Sequence, residues 1–205
     1  DEIIEHMREP ITIPAPGELE VVDREKATCP PEEYFPYDDR YDVAPLAPFG
    51  SGYRFHVTGL NHKKDGFPTN DAKIIRENNE RIMRKVDKNR EELWKNEETY
   101  LDDAEIAVFT IGSTARSARF AVNEARKDGI KAGLLRPLTI WPFPDRAVTE
   151  LAGKVKCIIV PELNLGQMVN EVDRCSKKAG VVGIHRVDGE PITPAQILEV
   201  IKKHK

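Results

Sequence analysis

The chain has 205 residues, 40% of them hydrophobic and 32% charged, which suffices for one sizeable core or two small ones. Its formal net charge of −4 lacks the basic balance of nucleic-acid binders, and no apolar run approaches the ~18 residues of a membrane span. The opening Asp1-Glu-Ile-Ile-Glu-His-Met matches neither a signal nor a transit peptide, so a cytoplasmic protein is expected.

Residues 1–70 hold most of the prolines and an excess of acids, and no period runs through them. Asp1 to Arg8 reads as a helix, while Ile11-Thr-Ile-Pro14 and Glu18-Leu-Glu-Val-Val22 read as short extended pieces. Pro30-Pro-Glu-Glu-Tyr-Phe-Pro-Tyr-Asp-Asp39 is a proline and aromatic stretch without repeat. An extended, Pro-rich arm or the end of a preceding domain is expected, draped over something else. The chain opens without methionine and is read as a piece of a longer polypeptide. Residues 71–100 are expected to form a long amphipathic helix. Ile75, Ile82, Val86 and Leu93 fall on one stripe among charges of both signs, and Asn70 or Asp71 can cap the start. Such a helix reads as a solvated arm resting on a neighbour by one face.

Residues 101–205 alternate strands and helices as a small doubly wound domain does. Ile106-Ala-Val-Phe-Thr-Ile111 is a buried strand, Ser113 to Lys127 a helix, and Gly129 its stop. Ala132-Gly-Leu-Leu135 is the second strand, with a helix over Asp145 to Ala152. Val155 to Val160 is the third, followed by a helix from Leu165 to Lys178, and Val181-Val-Gly-Ile184 is the fourth. The last helix runs from Pro194 to Lys203, with Thr193 as its cap. The pattern predicts a mostly parallel sheet with right-handed crossovers.

Three stretches bear on chemistry. Gly112, Ser113, Thr114 and Arg116 leave the first strand for the first helix, where free helix amides can hold a phosphate or carboxylate. The loop is neither a G-x-G-x-x-G fingerprint nor a P-loop, and Ser113 or Thr114 as a plain helix cap is the simpler reading. Glu162 and His185 follow strands three and four and can meet at one sheet end as an acid–base pair. No serine, cysteine or metal motif completes a mechanism around them. His56 and His62 lie in an aromatic extended run without carboxylates at ligand spacing, a poor metal site and a better strand and turn packing on a partner domain. Cys29, Cys157 and Cys175 are odd in number and far apart, so neither a disulfide framework nor a zinc or iron–sulfur site assembles from this chain alone. Cys157 reads as core. Heavy charge with glutamine only at Gln167 and Gln196 is a balance seen in heat-adapted proteins.

Taken together, five segments resemble the alpha subunit of the 2-oxoacid:ferredoxin oxidoreductases, particularly the 2-oxoglutarate type. They are His56-Val-Thr-Gly-Leu-Asn-His62 with Gly66 beyond it, the basic helix of residues 71–95 and Ile111-Gly-Ser-Thr. The two more specific ones are Leu135-Arg-Pro-Leu-Thr-Ile-Trp-Pro-Phe-Pro144 and Val160-Pro-Glu-Leu-Asn-Leu-Gly-Gln-Met168. The resemblance covers essentially the whole chain and implies that residues 101–205 form a three-layer domain like the transketolase C-terminal domain. It also implies a role in oxidative decarboxylation of a 2-oxoacid to an acyl-CoA with reduction of ferredoxin. Thiamine diphosphate, magnesium and an iron–sulfur cluster would belong to the complex rather than to this segment. Beta subunits, and gamma and delta subunits where separate, would be the partners. The thiamine pocket is expected in a pyrimidine-binding domain preceding this segment, whose Tyr-Pro-Ile-Thr-Pro type motif this sequence does not contain. No catalytic and no metal residue is therefore assigned here. The segment is expected to be inactive alone and to shape the fold and subunit contacts, with Glu162 to Gln167 facing a neighbouring domain. The competing expectation is a free-standing α/β module that binds an anionic nucleotide or a CoA-like ligand at Gly112 to Arg116.

Overall fold

The computed structural model describes residues 12–19 and 23–205. The helix expected at Asp1 to Arg8 lies outside them, as do parts of the two short extended pieces. The described residues fall into two compact units, one ending at Arg90 and one beginning at Glu91. The division lies within a one-turn helix, Arg90–Leu93.

The second unit is a five-stranded, mostly parallel sheet in the order β1-β3-β2-β4-β5, made of β1 (Asn96–Thr99), β2 (Ile106–Phe109), β3 (Ala132–Pro137), β4 (Cys157–Glu162) and β5 (Gly180–His185). Its helices α2 (Thr114–Lys127), α3 (Asp145–Ala152), α4 (Gln167–Cys175) and α5 (Pro194–Lys203) alternate with the strands. Alternation along each strand sorts the core into two layers. Ile106, Val108, Leu134 and Ile159 pack with Ala118, Val122, Ile197 and Ile201 of α2 and α5. Ala107, Phe109, Leu135, Ile158 and Val160 pack with Val148, Leu151, Val172 and Cys175 of α3 and α4. Helices on both faces of a parallel sheet make the three-layer architecture that the alternating pattern predicts.

Local signals set the element ends. Thr193 accepts a bond from the amide of Gln196 while the Gln196 side chain answers the Thr193 amide, a complete capping box with Pro194 in the first turn. Gly129, with φ of 76°, closes the turn after α2. The strand β1 contradicts the expected helix over residues 71–100. It pairs antiparallel with β3, Asn96 opposite Pro137 and Thr99 opposite Leu134, and it is an edge strand of polar residues.

In the first unit, α1 (Ala72–Lys88) begins at Asp71, whose side chain accepts from the amides of Lys73 and Ile74. It stops well short of residue 95, and none of its residues is buried. The apolar stripe is only partly the resting face, since Ile82 is exposed. Polar contacts hold the helix instead. Asn78 donates to the His62 carbonyl at 2.7 Å, and Arg84 and Lys88 pair with Asp42 at 3.1 and 2.9 Å. The proline-rich stretch before it is irregular and closes on an aromatic cluster, with Tyr34 edge-on to Tyr53 and Phe55. His62 stacks on Tyr37 and His56 on Phe67.

The turn at residues 63–66 closes this unit through the Gly66 amide to Lys63 carbonyl bond of 2.9 Å. Gly66 has φ of +86°, and a Cβ there would lie 1.8 Å from the His56 carbonyl oxygen. Gly66→Ala therefore combines left-handed backbone strain with a backbone collision. It is expected to cost this unit more than about 2 kcal/mol, read as a fall in its urea midpoint. An unchanged midpoint would remove the close approach from the account. Among the described residues no helix is long and apolar enough to cross a membrane.

Candidate functional site

In open α/β sheets, ligands and partners are met beyond the carboxyl ends of the strands, where successive loops diverge to opposite faces. Here that point lies between β2, whose chain leaves toward β3, and β4 on its other side. The loops concerned are 110–113 and 163–166.

The β4 loop is built around Glu162. The strand keeps pairing with β5 through Pro161 and Glu162, opposite Ile184 and His185. Its pairing with β2 ends earlier, at Ile159 opposite Val108. The Pro161 carbonyl accepts from the Thr110 hydroxyl at 3.1 Å. The missing proline N–H thus faces a side where no ladder partner is waiting, which is how a proline is tolerated in an inner strand.

Glu162 is 2% exposed. Its two oxygens accept from the amides of Met168 and Val169, at 2.7 and 3.0 Å. The Asn164 side-chain oxygen accepts from the amides of Gly166 and Gln167, both at 2.8 Å. These are the four amides that open α4, the groups a helix start leaves without internal partners. The segment Pro-Glu-Leu-Asn-Leu-Gly-Gln-Met is thus a self-contained cap, and Gly166 takes the left-handed φ of 108° that brings the chain round. These amides are occupied, so this helix start is not an anion site.

His185 completes the corner. Its Nδ1 is 3.5 Å from Glu162 Oε1. A Cβ at Gly183 would lie 2.2 Å from the ring, so glycine leaves room for the imidazole. The structure brings the expected acid and base side by side, with both Glu162 oxygens committed to backbone amides. That arrangement orients a histidine more than it transfers protons.

At the β2 loop, Gly112 has φ of +59°. Ser113 holds the cap position of α2, yet its side chain makes no cap bond, so the helix-cap reading of its hydroxyl fails. Thr114 is buried. The amides of Ala115 and Arg116 bond the carbonyls of Gly112 and Ser113, so the polar groups of the loop are largely turned onto the loop itself.

A different feature sits beside it. A concavity of about 310 Å³ is lined by Gly112, Ala115, Arg116, Arg119, Phe120, Asn123 and Arg136. Glu97 on β1 accepts from Arg119 Nη2 and Arg136 Nη1 through a single oxygen, each at 2.9 Å. The Arg136 hydrogen bond, with Arg119 also near, holds the Glu97 carboxyl below its ordinary pKa. Of the expected site residues, Gly112 and Arg116 border this hollow. Arg119 and Arg136 were not legible as part of it, because Glu97 lies on the strand that polar residues concealed.

The thiols do not suit a metal cluster. Cys157 and Cys175 are buried in the sheet unit and Cys29 lies in the other. Burial raises the Cys157 pKa, and burial followed by the bond to Asp145 takes Cys175 up to about 11. With three cysteines in the chain, the four thiolates of an iron–sulfur cluster cannot come from it alone. Among the described residues the buried carboxylates are Asp38 and Glu162, already spent on Arg40 and on the α4 amides. Among the described residues they leave no buried acid for a magnesium–diphosphate group.

Comparison with known proteins places the sheet unit in a family. Residues 104–197 match the family model for the pyruvate:ferredoxin oxidoreductase core domain II. Over 99% of its length the chain is 40% identical to the 2-oxoglutarate synthase subunit KorA of Methanothermobacter thermautotrophicus. The chain is a homologue of KorA. It is 37% identical to the KorA of Methanocaldococcus jannaschii over 96% of its length. This KorA homologue spans about half the length of those relatives, 54% and 52%. A solved 2-oxoglutarate:ferredoxin oxidoreductase from Magnetococcus marinus, with 2-oxoglutarate, coenzyme A and succinyl-CoA bound, shares the fold. Its TM-score is 0.75 over 95% of this chain and 34% of that one, at 23% identity.

Proposed function

We propose that the KorA homologue is the C-terminal part of the alpha subunit of a 2-oxoglutarate:ferredoxin oxidoreductase. Such an enzyme oxidatively decarboxylates the 2-oxoacid to its acyl-CoA and reduces ferredoxin in the cytoplasm. Identity to KorA along nearly the whole chain carries this reading. Thiamine diphosphate, magnesium and the iron–sulfur cluster are assigned to other domains or subunits. The thiols and buried acids of this segment do not fit them. The role of the segment itself is then structural and subunit-contacting.

The carboxyl end of the sheet supports that role. Leu138, Ile140 and Trp141 after β3, Leu165 after β4 and Val187 after β5 are exposed there, Trp141 by 59% and Leu165 by 82%. Large apolar side chains raised on successive strand ends suit contact with neighbouring protein. Phe143, between the same prolines as Trp141, has instead turned into the core against Phe109.

Reduction of a viologen dye, dependent on 2-oxoglutarate and coenzyme A, tests the assignment. The chain alone is expected to give none. A complex of beta subunit with an alpha subunit in which this segment replaces the corresponding half is expected to turn over. Dye reduction by the isolated chain would contradict the division of roles.

A further inference from the structure

The hollow beside α2 has no part in that reading, yet its chemistry is specific. Arg119 and Arg136 each make one hydrogen bond among the described residues, and both go to the same oxygen of Glu97. A guanidinium carries five N–H donors in a planar fork, so most of this donor capacity is unspent. Arg136 Nε is buried without a hydrogen-bond partner among the described residues. Two cations held against one carboxylate also repel each other, and among the described residues only the single charge of Glu97 lies between Arg119 and Arg136. A doubly charged anion in the concavity would supply the missing counter-charge and accept bidentately, the geometry in which arginine exceeds lysine. Asn123 adds an amide at the rim, and Phe120, more than half exposed, offers a ring face beside the guanidiniums. The volume of about 310 Å³ lies at the lower end of small-molecule pockets and exceeds what one phosphate needs.

We infer that this concavity is a binding site for a phosphate-bearing small molecule of the nucleotide class, with the phosphates on Arg119 and Arg136 and the flat ring against Phe120. Glu97 acts as the post that holds the two guanidiniums in one plane of approach. The site lies along α2 and the β1–β3 edge rather than in the Gly112 to Arg116 loop. It does not depend on the oxidoreductase assignment, because it belongs to this chain alone.

Calorimetric titration of the full chain with sodium pyrophosphate and with ADP in low salt tests the inference. Both are expected to bind saturably, ADP several-fold more tightly. Affinity should fall at least about fivefold when salt is raised from about 50 to 300 mM, as screening of charge contacts demands. Arg119→Gln, at a half-exposed position, is expected to weaken both ligands about tenfold while leaving the urea midpoint in place. Phe120→Ala should remove the advantage of ADP and leave pyrophosphate unchanged. Arg136→Gln risks loosening β1, so Arg119→Gln decides between lost binding and lost fold. Absence of saturable binding by either probe would overturn the proposal, as would binding that survives Arg119→Gln. Equal affinity for ADP and pyrophosphate would refute the nucleotide class. An oligoglutamate peptide that binds more tightly than ADP would make the patch a protein contact instead.

Discussion

Phe109→Ala is expected to remove about 4 kcal/mol of folding stability, seen as a large drop in the urea midpoint of the sheet unit. Phe109 is fully buried on β2. It packs in the layer formed with Leu135, Val148, Ile158 and Val160, its ring 5.9 Å from that of Phe143. Deleting the ring loses its transfer free energy and leaves a cavity, because β2 is held by β3 on one side and β4 on the other and cannot collapse inward. Phe109→Leu, which keeps most of the volume, should cost nearer 1 kcal/mol. Equal effects from the two variants would mean that shape and volume at this position do not matter.

Glu162→Ala should be almost as damaging, at about 3 kcal/mol. The substitution strands two partly buried amides, those of Met168 and Val169, and each unsatisfied group costs about 1–3 kcal/mol. Glu162→Gln retains one acceptor oxygen and turns an amide donor toward the other N–H, so an intermediate loss is expected. Asn164→Ala, which frees the other pair of amides nearer to solvent, should cost about 1 kcal/mol. Hydrogen exchange supplies the local signature, with the first turn of α4 losing protection in Glu162→Ala more than the sheet does. If Glu162→Ala and Asn164→Ala both leave α4 protected, the cap does not hold the helix.

The architecture was largely legible because its signals are local. Ile-Ala-Val-Phe is apolar on both faces, Thr-Pro-Ala-Gln spells a capping box, and Asp145 to Ala152 emerged with the expected ends. What stayed hidden depends on tertiary context. Asn96-Glu-Glu-Thr99 has no apolar alternation, and it is a strand because β3 offers it an open edge and Glu97 an ion pair with Arg136. The stripe of α1 overshot for a related reason, since side-chain bonds to the preceding loop rather than apolar packing fix the face on which that helix rests. At the candidate site, the strand order was enough to bring Glu162 and His185 to one sheet end. That one carboxylate would take two amides, and Asn164 the remaining pair, required coordinates. The arginine hollow was less accessible still. Arg119 follows Arg116 by three residues on α2, but Arg136 comes from another strand, and their shared carboxylate comes from the strand that sequence did not reveal.

The central claim is that the exposed rim at the carboxyl end of the sheet is a contact surface within a larger oxidoreductase. Trp141 reports on it directly, and the chain contains only one other tryptophan, Trp94, whose indole donates to the Pro142 carbonyl at 3.0 Å. The measurement is fluorine NMR of the chain labelled with 5-fluorotryptophan, with the solvent isotope shift of each indole recorded before and after mixing with the unlabelled remainder of the alpha subunit and the beta subunit. In the free chain Trp141 is expected to show the larger isotope shift, as its 59% exposure requires. On assembly that shift should collapse while Trp94 changes little. A Trp141 resonance that keeps its full solvent isotope shift in the assembled, active complex would contradict the account.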